Sequence, residues 1–150
     1  MNNSVFICHC LDDADIVCRL QKSLEAKGFN ARVDKRVIRS GEPLEEKTRA
    51  AIDAAGVFLL VVSKNANSSK WVQQETQYAL KIRAERTAGL CIIPILLDDA
   101  ELGALKWMIP DDAQSVSFAA SDEGINQAMP QLMNTLEEAL FPSGSPGWLS

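Results

Sequence analysis

The chain has 150 residues, 47% apolar and 23% charged, which suits one domain with its own core and is too balanced for a disordered chain. No stretch approaches the roughly 20 consecutive apolar residues that span a membrane, and Met1 to Ser4 lacks the basic start and apolar run of a secretion signal, so the expected location is the cytoplasm. A net charge of −5 argues against a nucleic-acid-binding surface and makes any phosphate-binding site a locally built feature.

Ser4 to Cys8 is an apolar run that reads as a buried strand. Asp12 to Lys27 follows as a helix, with Ile16, Leu20, Ser23 and Leu24 near the helical period and Gly28 as its stop. Phe29 to Val33 is a short second strand. Pro43 to Ala55 is helical, with Leu44, Thr48, Ala51 and Ile52 on one face, and Gly56 ends it. Val57 to Val62 is the most apolar run, six residues without a charge, the pattern of a central parallel strand buried on both faces. Ser68 or Ser69 caps a third helix that runs to about Arg86 and closes at Gly89. Cys91 to Leu97 is a fourth strand, and its Pro94, which lacks a donor, predicts a bulge or partial pairing there. A short helical piece from Leu102 to Trp107 precedes a weak fifth strand, Ser115 to Phe118, and Ser121 or Asp122 caps a last helix to about Leu140.

Alternation of this kind predicts an α/β fold, a doubly wound, five-stranded parallel sheet with helices on both faces. The domain is expected over residues 1–140, and residues 141–150, rich in proline, glycine and serine, have the composition of a linker-like tail. In such sheets ligands bind beyond the carboxyl ends of the strands, where strand order reverses. That point falls between the first and third strands, which singles out the loops Cys10 to Asp13, Val33 to Pro43 and Ser63 to Ser69.

The third helix carries an anomaly. Its apolar stripe runs Val72, Glu75, Ala79, Ile82, so a carboxylate occupies a core-facing position, with Trp71 beside it on the helix surface. An inward carboxylate beside an indole is costly unless paired or used. Two readings stand: a working carboxylate, or an acid that favours the helix dipole or pairs with a nearby lysine or arginine. In the loop before the second helix, Gly41 permits a positive-φ turn, Pro43 suits a first helical turn, and Arg36 and Arg39 either hold a phosphate or carboxylate or are solvated.

Other chemistries fail on the residues. Cys8, Cys10, Cys18 and Cys91 show no zinc-site spacing and read as reduced thiols serving as small apolar side chains, with no metal. There is no Gly-rich dinucleotide fingerprint and no phosphate-cradling loop, and His9 is the only histidine, without a Gly-x-Ser-x-Gly partner for a triad. A phospho-receiver would use the acidic pair Asp12 and Asp13 but needs an aspartate at the end of the third strand, where this chain has Val62, Ser63 and Lys64.

From Ser4 to Asp99 the chain resembles a TIR (Toll/interleukin-1 receptor) domain, nearer the bacterial kind than the animal adaptors. The resemblance rests on Val5 to Cys10 as the first-strand box, Arg39 to Leu44 as the loop box, Ser69 to Glu75 opening the third helix, and Ile92 to Asp98 as the fourth strand, Pro94 included. It implies a flavodoxin-like TIR fold and cleavage of NAD⁺ between nicotinamide and ribose, with NAD⁺ as substrate and no cofactor. It makes Glu75 the catalytic glutamate and Trp71 its aromatic companion, and it sets His9, Cys10, Leu11 and Arg39 against the ligand. The chain departs from the family with Cys8 and His9 where a small hydroxyl residue and an aromatic are usual, and with Cys10 and Leu11 where some members are basic. The late aromatic pair of many animal members is absent, although Trp107 lies in that region. Implied partners are further copies of the domain and a sensor domain or protein that clusters them, in bacterial antiphage immunity, with no direct nucleic-acid or membrane contact. The alternative is a non-catalytic TIR scaffold for homotypic signalling or a host-mimicking virulence interaction.

Overall fold

The computed structural model describes residues 4–33, 46–64, 70–85, 90–103, 106, 109 and 113–140. In chain order these form β1 (Ser4–Cys8), a single 3-10 turn (Leu11–Asp13), α1 (Ala14–Ala26), β2 (Asn30–Val33), α2 (Glu46–Ala54), β3 (Val57–Val62), α3 (Lys70–Glu85), β4 (Cys91–Leu97), β5 (Val116–Phe118) and α4 (Asp122–Leu140). The tail at 141–150, the loop with Arg36, Arg39, Gly41 and Pro43, and the expected caps Ser68 and Ser69 lie outside the described residues, as does Trp107 in the expected short helix.

The five strands form one sheet in the order β2-β1-β3-β4-β5, every pairing parallel. Strand order therefore reverses between β1 and β3, as the alternation predicts. All six residues of β3 are buried, because β1 and β4 flank it and helices cover both faces. The pleat sorts the side chains. Val5 and Ile7 of β1 join Val57, Leu59 and Val61 under α1 and α4, where Val17, Leu20, Leu24, Ile125, Leu132 and Leu136 meet them. Phe6 and Cys8 turn the other way, with Phe58, Leu60 and Val62, toward Ile52 of α2 and Val72 and Ala79 of α3. The register pairs Phe6 with Phe58, and their rings stack at 5.7 Å with 12° between planes.

Local chemistry ends the elements where the sequence suggests. Gly28 has φ 95° and closes α1 as a Schellman motif: its N–H reaches Glu25 O at 3.0 Å and that of Phe29 reaches Leu24 O at 3.1 Å. Ser121, rather than Asp122, caps α4, its Oγ accepting the Gly124 N–H at 3.0 Å. At Pro94 the ladder to β3 runs in unbroken register, so the bulge is not formed; pairing with β5 starts only at Ile95, so the partial pairing is. No helix among the described residues is long and apolar enough to cross a membrane.

At Gly124, in the first turn of α4, a Cβ would stand 2.9 Å from the Ala119 carbonyl carbon and closer still to its oxygen. Gly→Ala inside a helix ordinarily stabilises by up to ~1 kcal/mol. Here Gly124→Ala is expected to destabilise by about 1–3 kcal/mol, since backbone rather than a flexible side chain must move; urea unfolding monitored by circular dichroism measures it.

Candidate active site

The carboxyl ends of β1 and β3 define a crevice floor, and the first turns of α3 cross beside it. The stripe inferred for α3 is present: Val72, Glu75 and Ala79 are each 0% exposed, as is Thr76. Glu75 is therefore buried on the face of α3 whose apolar residues, Val72 and Ala79, join the core under the sheet. The Cys8 thiol at the end of β1 lies near it. That thiol is held well above its usual pKa, first by burial and then by the neighbouring Glu75 carboxylate, with Thr76 pulling the other way. Cys8 Sγ also lies 3.9 Å from the Val72 carbonyl oxygen. Desolvating a carboxylate costs several kcal/mol.

A second polar group lies past the strand ends. Asp13 Oδ2 accepts hydrogen bonds from Ser63 Oγ at 2.5 Å and from Cys10 Sγ at 3.0 Å, and Sγ and Oγ are 3.9 Å apart. Asp13 occupies the N-cap position of α1 yet makes no side-chain capping bond there. Its carboxylate is turned to the crevice instead, tying the loop after β1 to the loop after β3. Burial, and then the Asp13 hydrogen bond and charge, push the Cys10 thiol up to about 11. Cys10 is thus a neutral hydrogen-bond donor at ordinary pH, not a nucleophile.

Of the six residues singled out in the sequence, Glu75, His9 and Cys10 stand fully described, and His9 is 5% exposed one residue beyond β1. Leu11 opens the 3-10 turn and Trp71 sits four residues before Glu75 on α3, but their side chains lie outside the described residues, as does the whole of Arg39. Asp13 and Ser63 were missed as site residues. Both nevertheless lie in loops that the predicted strand reversal singles out, Cys10 to Asp13 and Ser63 to Ser69. All four cysteines are free thiols, but Cys10 does more than fill space, since it donates to the Asp13 carboxylate. Among the described residues no group of three histidines, cysteines or carboxylates is arranged to hold a metal.

The parallel order with its reversal between β1 and β3 defines a doubly wound α/β domain, with a carboxylate buried on α3. The TIR domain family model matches residues 5–133, and the chain belongs to the TIR domain family. No curated protein matches it. Among solved structures it is similar to the TIR domains of the activated Roq1 resistosome directly recognising the pathogen effector XopQ, at 18% identity and TM-score 0.56, covering 93% of this chain and 81% of that one. It is similar to a metazoan TIR-STING receptor from C. gigas, at 23% identity and TM-score 0.54, covering 83% of this chain and 39% of the receptor. A flavodoxin from Pseudomonas aeruginosa, carrying a single cysteine-to-serine substitution, aligns at 18% identity and TM-score 0.55 over 93% of this chain and 99% of its own. At these identities the likeness is one of fold.

Removing the Asp13 charge should lower the Cys10 thiol toward its ordinary range. Asp13→Asn is expected to raise alkylation of Cys10 severalfold at mildly alkaline pH, read cysteine by cysteine through peptide mass mapping, with Cys8 protected in both proteins. The linkage has a definite sign. A thiol at about 11 when folded and 9.0 when unfolded contributes stability that is complete below about pH 9 and lost as pH rises through 11. The fall in denaturation midpoint across that window should be smaller in Asp13→Asn.

Proposed function

We propose that the chain is an NAD⁺ nucleosidase, or a cyclase acting on the same bond, whose reacting carboxylate is Glu75. The observation that carries this reading is the complete burial of Glu75, 0% exposed, on α3 beside the end of β1. Breaking the bond between ribose C1′ and the nicotinamide nitrogen sends its electron pair into a ring that leaves neutral, so no strong acid is required. Positive charge develops on the ribose, and an ionised carboxylate in a poorly solvated site is a strong stabiliser of it. Water then attacks C1′ and releases a proton, giving ADP-ribose, or an adenine nitrogen closes the ring. In this reading Trp71 offers an aromatic face to a ring of the dinucleotide, and His9, Cys10, Leu11 and Arg39 contact the rest.

Burial also gives a physical reason for activation by self-assembly. A carboxylate with no accessible surface does no chemistry on a bound dinucleotide until it is uncovered, so the lone chain rests inactive. A sensor domain or partner that clusters copies is the proposed trigger, and bacterial antiphage defence the proposed setting. The same burial supports a second reading, a non-catalytic TIR scaffold in which Glu75 is a structural residue inside the core.

One comparison separates them: NAD⁺ consumption by wild type and Glu75→Gln over a rising protein concentration, with and without a clustering agent. The enzyme reading expects nicotinamide release that rises more steeply than protein concentration and falls at least about 100-fold in the variant. Assembled wild type that consumes no NAD⁺ establishes the scaffold.

A further inference from the structure

We propose that Asp13 and Ser63 are positioning residues for the dinucleotide: the hydrogen bond between them, across the point where strand order reverses, holds the loop after β1 in the shape that contacts the ligand. The inference rests on the reading of this crevice as an NAD⁺ site.

β1 and β3 pair in register from Val5 with Val57 to Cys8 with Leu60, and β3 then continues to Val62 while the chain past β1 enters the 3-10 turn. Beyond Cys8 the two strand ends part, and a side chain joins them. Asp13 is the last residue of the turn and Ser63 the first past β3. Asp13 Oδ2 accepts from Ser63 Oγ at 2.5 Å and from Cys10 Sγ at 3.0 Å. The Asp13 N–H donates in turn to the Cys10 carbonyl oxygen at 3.0 Å. One carboxylate oxygen thus closes the turn on itself at Cys10 and anchors it to β3 at Ser63. Both donors are buried, Cys10 5% and Ser63 9% exposed, so water competes little for them, and a carboxylate acceptor gives the short, strong class of hydrogen bond.

Asp13 is turned from its default use to make this tie. An aspartate at a helix N-cap ordinarily accepts an N–H of the first helical turn. Asp13 occupies the N-cap of α1 and makes no such bond; its carboxylate reaches a residue 50 positions away instead. The tie fixes the segment that holds His9, Cys10 and Leu11, the residues proposed to contact the dinucleotide. Misplacing a bound group by about 1 Å costs on the order of 100-fold in rate. Glu75 lies on α3, outside this turn, so loosening the tie weakens the hold on the ligand before and during reaction alike. Such a loss shows in KM more than in kcat.

The test uses the full chain, and its first arm needs no ligand. Backbone amide exchange is followed by nuclear magnetic resonance in wild type, Ser63→Ala and Ser63→Thr. Ser63→Ala, made in the loop after β3, is expected to speed exchange of the Asp13 amide at least about fivefold and to leave the Gly28 amide at the far end of α1 unchanged. Ser63→Thr keeps the hydroxyl and should recover most of the protection. Unchanged exchange at Asp13 in Ser63→Ala overturns the proposal. In the second arm, with clustered protein, KM for NAD⁺ should rise about tenfold in Ser63→Ala and in Asp13→Ala, with kcat within about threefold of wild type. The double variant should be no worse than Asp13→Ala, because the two residues make one bond. Effects that add, or a loss seen in thermal stability with KM unmoved, overturn the positioning role. Asp13→Asn, which keeps the size and one acceptor oxygen, serves if the alanine variant does not fold, with a smaller rise in KM expected. If the Asp13 amide responds and clustered wild type consumes no NAD⁺, the tie is structural alone, and both the enzyme reading and the positioning role fall.

Discussion

The burial of β3 on both faces constrains everything else in the fold. Six consecutive residues from Val57 to Val62 carry no charge and no hydroxyl, and each is buried. A strand of that composition needs a neighbour on each edge and a helical layer above and below. β1 and β4 supply the edges, while α1 with α4 and α2 with α3 supply the layers. Right-handed crossovers carry the chain one way from β1 to β2 and the other way from β3 to β5, so strand order reverses beside β3. That reversal is the crevice in which Cys8, Cys10, Asp13, Ser63 and Glu75 lie near one another.

Within that frame the polar groups share a logic. Each carboxylate near the strand ends has a thiol beside it that stays protonated first because it is buried and then because of the carboxylate: Cys8 is near Glu75, and Cys10 donates to Asp13. The two pairs differ in solvent. Asp13 is partly exposed and gains a second donor in Ser63, so it behaves as a satisfied tie between two loops. Glu75 has no exposure at all. A protein retains a costly internal charge where it specifies structure or where it reacts.

The fold was largely legible because apolar runs mark buried strands without ambiguity. β1, β3 and β4 begin and end at the residues where their runs begin and end, and Glu75 stood out because it interrupts a helical stripe at its own period. The edge strands β2 and β5 are shorter by one residue than their runs, since pairing on a single side holds fewer residues in the ladder. Pro94 misled in one respect: a missing donor costs little where the strand has a neighbour on one side only, and no bulge is needed. The Asp13–Ser63 bond could not be read, because it joins positions 50 residues apart and depends on the sheet to bring them together. The Asp13 carboxylate also leaves the N-cap position it occupies without a side-chain capping bond.

The strand order also governs when the site comes into being. β1 leads the chain, but it lies between β2 and β3, and the carboxylate its last residue touches is the midpoint of the 150-residue sequence. A nascent chain that has released only β1, α1 and β2 presents an open edge and no crevice. The crevice closes when β3 docks, and the Cys8–Glu75 contact must wait for α3. Contacts of such long sequence separation make folding slow, and they keep a nascent chain that has released only β1, α1 and β2 from carrying a formed site.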